Sequence, residues 1–185
     1  MSYCSKVNKG KLNCHHKYYH DNIYGFPAKS DNELFGRLVL EINQAGLSWD
    51  IILKKEKANK NAYKNYSFTE IAKFGESDVQ RILNDRGVIR MRRKVIAIIF
   101  NAKKVVSLTK KHNSFKSYLD KHHPLNLSGW LSLFKKEFKF IGNEVCREFL
   151  ISAGYLKGAH KKSCPIYKKI IKAKPMWYRN QLPFL

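Results

Sequence analysis

The sequence predicts an all-α fold, on three observations. Apolar residues recur at helical spacing in several separate stretches, capping residues precede those stretches and glycines follow them, and period-2 alternation is scarce, with no turn-linked pair of strands. At 185 residues the chain can bury one sizeable core and is short for two, so residues 1–185 are expected to form a single domain that works as a monomer.

The first strong helix is announced by Ser30-Asp31-Asn32-Glu33, a capping box in which the Ser hydroxyl and Glu carboxylate serve backbone donors of the first turn. Leu34, Phe35, Leu38, Val39 and Ile42 follow at helical spacing, which predicts a helix over 31–44 that ends near Gly46. A second helix is expected from Ser48 to near Lys60, with Trp49, Ile52 and Leu53 inward and Lys54, Lys55 and Lys57 in water. Ser77 and Gln80 give another capping signal, before Val79, Ile82 and Leu83 and a stop at Gly87. A longer helix is expected over about 91–111, burying Val95, Ile98, Ile99, Ala102 and Val105. Asn143 reads as the N-cap of a helix that contains Val145, Phe149 and Leu150 and stops at Gly154. After Cys164 the chain is basic and mixed, with Trp177 and Phe184, and residues 166–185 read as either a docked helix or a loose basic extension.

The charge balance narrows the partners. Lys plus Arg number 36 against 14 Asp plus Glu, a formal +22, and such a field attracts phosphate backbones. The start of the chain has no apolar leader and the longest apolar run is the short stretch 95–100, so no membrane span is expected and the protein is expected in the cytoplasm. Four cysteines in such a compartment are free to bind metal. Cys146, on an apolar helical stretch, reads as a buried small hydrophobe.

Cys4, His20, His160 and Cys164 sit at the two ends of the chain, and His160-x3-Cys164 has the spacing of a zinc half-site. Thiolate sulfur and neutral imidazole suit tetrahedral zinc, which would staple the ends together. Cys14, His15 and His16 stand as alternative N-terminal ligands.

Residues 79–102 read as helix, tight glycine-containing turn, helix, with Arg86, Arg90, Arg92, Arg93 and Lys94 around the turn. A helix N-terminus offers unpaired N–H groups to a phosphate and basic side chains reinforce it, so these five are the candidate DNA-binding residues. The second glycine usual in a helix-hairpin-helix turn is replaced by Arg90.

YHDNIYGFP at 19–27 followed by LEINQAGLSW at 40–49 resembles the DNA-3-methyladenine glycosylase I family, with further matches in GVIRMRRKVIAIIFNA at 87–102, FKFIG at 138–142 and the terminal His160-x3-Cys164. The resemblance covers residues 3–165 in order. It implies the all-α fold of the helix-hairpin-helix DNA glycosylases, one structural zinc joining the N- and C-terminal segments, and hydrolysis of the N-glycosidic bond of 3-methyladenine in double-stranded DNA. By position it places the zinc ligands on Cys4, His20, His160 and Cys164 and the catalytic, base-reading carboxylate on Glu41. The pocket aromatics fall on Tyr19 and Trp49, and Gln44 either lines the pocket or caps a helix end. Asp21 and Asn22 read as turn formers.

These residue types suit that chemistry. A glycosylase takes the base out of the stack and reads it by polar contacts and aromatic stacking. Methylation at N3 makes the adenine cationic, so a Trp face attracts it, a carboxylate complements it, and it leaves readily. Accordingly no Asp stands between His122 and Gly142, where many glycosylases of this superfamily carry a catalytic one; Glu137 is the only acid there. The chain departs from the family at Lys6, where an aromatic is usual, at Ile23 and Tyr24, where Glu-Trp is usual, and at Asn143 and Glu144, so the pocket rim is expected to differ. A zinc-stabilised module that binds damaged DNA without catalysis and a basic RNA-associated protein are the competing readings.

Overall fold

The structure, a computed structural model, describes residues 2–179, and every regular element among them is helical. In chain order these are α1 (Tyr3–Asn8), α2 (Cys14–Asn22), α3 (Asp31–Gln44), α4 (Trp49–Lys54), α5 (Glu56–Ala62), a 3-10 turn (Lys64–Tyr66), α6 (Phe68–Ile71), α7 (Glu76–Asn84), α8 (Arg92–His112), α9 (Phe115–His122), α10 (Leu127–Glu137), α11 (Asn143–Ser152), α12 (Pro165–Lys172) and α13 (Met176–Arg179). None among the described residues is long and apolar enough to cross a membrane.

α3 is the central helix and packs against α8, α9 and α11. Its apolar stripe Leu34, Phe35, Leu38, Val39 and Ile42 is buried as its spacing predicts. The Ser30 hydroxyl accepts from Glu33 N–H at 3.1 Å, and the Glu33 carboxylate closes back on Lys29 N–H at 3.0 Å, one residue earlier than a strict capping box. Glu33 also holds Arg37, whose buried guanidinium donates to the carbonyls of Phe26 and Ser152 and so ties the segment after α2 to the end of α11.

The remaining elements refine the sequence reading. The single helix expected after Ser48 is two, α4 and α5, because the backbone leaves helical geometry at Lys55 (φ −92°, ψ 0°). α7 is capped by Gly75 with the Asp78 carboxylate accepting its N–H at 3.2 Å, so the expected Ser77/Gln80 cap lies inside the helix. α8 runs as predicted, with Val95, Ile98, Ile99, Ala102 and Val105 buried. α11 starts one residue earlier than expected, Gly142 being the cap and Asn143 the first helical residue, and Gly154 ends it at φ +77°, a backbone conformation that costs glycine nothing.

Beyond Cys164 the tail docks. Ile166 and Ile170 of α12 are buried in a small cluster with Cys4 and Cys164, flanked by Phe26, Tyr167 and Trp177. Phe184 lies outside the described residues.

Candidate functional site

Two features of local backbone build a cleft at the C-terminal end of α3. The chain leaves α3 through Ala45 and Gly46, whose φ of +80° admits the tight turn, and Ser48 then caps α4 by accepting from Ile51 N–H at 3.4 Å. This turn brings Trp49 back over α2. The resulting cleft, about 280 Å³, is lined by Tyr3, Tyr19, Tyr24, Glu41, Gln44, Trp49 and Glu148. Tyr19 meets Trp49 edge-on with centroids 5.0 Å apart and lies 5.6 Å from Tyr24, which in turn meets the edge of Tyr3 at 5.9 Å.

Glu41 is the polar centre of the cleft. It is 4% exposed, and no donor among the described residues meets its carboxylate. Burial first, and the charge of Glu148 second, push its pKa well above the usual carboxylate range. The Tyr19 phenol is likewise held up by burial and then by Glu41. A carboxylate in such a place is destabilised until a donor or a cation enters beside it.

The turn after α3 is held by Lys94. Its ammonium is fully buried and donates to the carbonyls of Asn43 and Ala45, both at 2.7 Å, satisfying two of the acceptors that the end of α3 leaves open. Burial lowers its pKa. Lys94 was expected at a phosphate; the structure turns it inward instead, because the carbonyl end of α3 is the stronger nearby attractor for a cation.

At the chain ends, Cys4, His20, His160 and Cys164 are all buried and their donor atoms lie within 4.8 Å of one another. His160 Nδ1 stands 3.6 Å from Cys4 Sγ and 3.4 Å from Cys164 Sγ, and His20 Nε2 stands 3.6 Å from Cys164 Sγ. A tetrahedral ion with ordinary Zn–S and Zn–N bonds requires S···N edges of about 3.5 Å, so the set fits. Each ring also spends its other nitrogen correctly: His20 Nδ1 lies 2.7 Å from Asp21 Oδ1, and His160 Nε2 lies 3.0 Å from the Tyr24 carbonyl. Burial pushes His160 down to about 4, which keeps the imidazole neutral, the form that can bind a metal. The alternatives lie elsewhere: Cys14 and His15 are exposed, and His16 faces the Tyr3 hydroxyl at 3.2 Å and Asp50 at 3.5 Å. Cys146 is an inert buried thiol, pushed up to about 12 by its apolar surroundings.

Around the turn between α7 and α8, Arg86 and Arg90 are exposed and share a shallow depression with Lys55, Val88 and Ile89. Arg92 is partly engaged, its guanidinium gripping both oxygens of Glu76 at 2.8 and 2.7 Å. Arg93 lies over the Phe140 ring at 5.9 Å. The N-cap of α8, Met91, makes no side-chain cap bond, so the first amides of that helix have no capping side chain.

The structure thus brings together every expected pocket residue, Glu41, Tyr19, Trp49 and Gln44, and every expected metal ligand. Three cleft residues were not foreseen. Tyr3, directly before Cys4, supplies an aromatic where Lys6 points to solvent; Tyr24 takes its place in the wall; and Glu148 arrives from α11. Asp21, read as a turn former, sits inside α2 and orients His20. Glu137 is paired with Lys104 at 3.1 Å and takes no part in the cleft.

Comparison with known proteins agrees with this arrangement. The family model for methyladenine glycosylase matches residues 10–128. The DNA-3-methyladenine glycosylase 1 of Escherichia coli (strain K12) is 32% identical over 168 residues, which cover 80% of this chain and 89% of that protein. The DNA-3-methyladenine glycosylase of Haemophilus influenzae is 32% identical over 166 residues, with the same coverage of 80% and 89%. Among solved structures, 3-methyladenine DNA glycosylase I from Staphylococcus aureus superposes with a TM-score of 0.79 at 26% identity, covering 89% of this chain and 97% of that one. A variant of 3-methyladenine DNA glycosylase I in complex with 3-methyladenine gives a TM-score of 0.78 at 26% identity, covering 88% and 97%. The family model spans more than half of the sequence and the relatives align along four fifths of it, so this chain belongs to the methyladenine glycosylase family, that of the DNA-3-methyladenine glycosylase I enzymes.

Proposed function

We propose that the protein is a monofunctional glycosylase that flips 3-methyladenine out of alkylated double-stranded DNA and hydrolyses its N-glycosidic bond, opening base excision repair. The observation that carries this reading is the Glu41 carboxylate, buried without a donor at the centre of an aromatic cleft. A purine with a formal positive charge supplies what that carboxylate lacks. Trp49 and Tyr19 offer ring faces and edges to hold it, and Gln44 adds an amide that can donate or accept.

The chemistry asks little more. Water forms a bond to C1′ as the bond from C1′ to the base breaks, the bonding pair goes to the ring and cancels its positive charge, and the water releases its proton. The base is already a good leaving group, so Glu41 serves as reader and electrostatic partner, and no acid is required where Glu137 stands. Selection of a labile lesion replaces catalytic power.

One zinc held by Cys4, His20, His160 and Cys164 would supply structure alone, since four protein donors leave no coordination site for water. DNA is gripped by a helix-hairpin-helix formed by α7, the turn and α8, with Arg86, Arg90 and Arg93 and the uncapped amides of α8 on phosphate.

The test is incubation with methylated duplex DNA and chromatography of the bases set free. Release of 3-methyladenine alone is expected. Intact DNA, or release of neutral bases at a comparable rate, contradicts the proposal.

A further inference from the structure

In a chain of net charge +22, the cleft is lined by two carboxylates and four aromatic rings with no basic residue among them. The second carboxylate, Glu148, has no part in the activity proposed above, yet it is held firmly. The Tyr24 phenol donates to its Oε2 at 2.9 Å, and Arg147 approaches its Oε1 at 2.9 Å. Arg147 is already shared, since the same nitrogen lies 2.7 Å from Glu144. One guanidinium thus faces two carboxylates of α11, and no cation pairs with Glu41 among the described residues. The surplus of negative charge is directed into the cleft.

We propose that Glu148, oriented by Tyr24 and Arg147, is a specificity-determining residue that makes the cleft prefer purine rings with a formal positive charge over neutral rings of the same size. This rests on the reading of the cleft as the base pocket. A neutral ring leaves the repulsion between Glu41 and Glu148 in place and dries it further. A cationic ring is attracted to both carboxylates at once, in surroundings where such attraction is weakly screened. Tyr24 fixes the orientation: its hydroxyl keeps Oε2 at the wall, so that Glu148 cannot turn wholly to the surface with Arg147.

The experiment compares two free ligands of equal heavy-atom count by quenching of tryptophan fluorescence in the full chain. The 3,9-dimethyladeninium ion carries a fixed positive charge, and 9-ethyladenine is neutral. Wild type should prefer the cation, and Glu148→Gln should lower the ratio of affinities about tenfold, a little more than one contact charge pair is worth in bulk water. Arg147→Gln removes the competing cation and should leave the ratio at or above wild type, a sign that mere loosening of α11 does not produce. An unchanged ratio in Glu148→Gln, a fall in Arg147→Gln alongside it, or no cation preference in wild type overturns the inference while the base pocket stands. Failure of wild type to bind either ligand overturns the pocket itself.

Discussion

His160 Nε2 lies 3.0 Å from the backbone carbonyl oxygen of Tyr24, and this contact joins the two centres of the molecule. On one side His160 presents Nδ1 to the sulfurs of Cys4 and Cys164; on the other Tyr24 presents its ring to the cleft and its hydroxyl to Glu148. Tyr3 and Cys4, adjacent in α1, repeat the arrangement. The Cys/His cluster at the chain ends therefore also sets two walls of the cleft.

Zinc removal should act on both. Chelation of the purified protein should release one equivalent of zinc and lower the melting temperature by at least about 6 °C, corresponding to a few kcal/mol of lost folding free energy in a chain of this size. Quenching of Trp49 by added base should weaken in the same titration. Absence of stoichiometric metal in protein expressed with zinc supplied contradicts the assignment.

Lys94 should behave as a structural residue. Lys94→Met leaves the carbonyls of Asn43 and Ala45 without their donor and should cost about 2–4 kcal/mol, read by denaturant unfolding. The salt dependence of binding to undamaged DNA should keep its wild-type slope. A slope that drops by about one phosphate's worth, with little loss of stability, returns Lys94 to the DNA surface.

Glu41 should cost the protein stability at neutral pH. Its folded pKa is raised above its unfolded value, so in the window above about pH 4.5 the folded state binds more protons than the unfolded state, and stability falls as pH rises through that window. Glu41→Gln removes the penalty. Its melting temperature should exceed wild type at pH 7 to 8, and the difference should shrink as pH falls toward 4. A variant less stable than wild type at pH 8 shows that the carboxylate has found a donor in the free protein.

The basic turn divides by geometry. Arg90→Gln should lower the salt slope of DNA binding by about one unit, whereas Arg92→Gln should change it less, because Glu76 already neutralises Arg92. Equal losses at both positions mean that DNA displaces Glu76.

Long, strongly periodic elements were legible in the sequence. α3 and α8 bury five predicted residues each, because a helix about four to six turns long repeats its apolar stripe often enough to stand out. α1 and α2 were not, since six and nine residues repeat too little; their caps Ser2 and Asn13, which accept from Ser5 N–H at 3.3 Å and from His15 N–H at 3.1 Å, were the available signal. In the site, Glu41 and Trp49 stood in a recognisable motif. Glu148 and Tyr3 did not, because only the tertiary fold brings α11 and α1 to the end of α3. Lys94 was misread for a related reason: among neighbouring arginines a lysine looks exposed, and only the packing of α8 on α3 shows it beneath the turn.

The proposed reading of a cationic base by Glu41 is tested most directly by the single-turnover rate of 3-methyladenine release from methylated duplex by wild type and Glu41→Gln. Glu41→Gln should lose about 10- to 150-fold, equivalent to about 1.5–3 kcal/mol for a hydrogen bond to a charged group, with unchanged binding to undamaged DNA. A Glu41→Gln rate equal to wild type contradicts it.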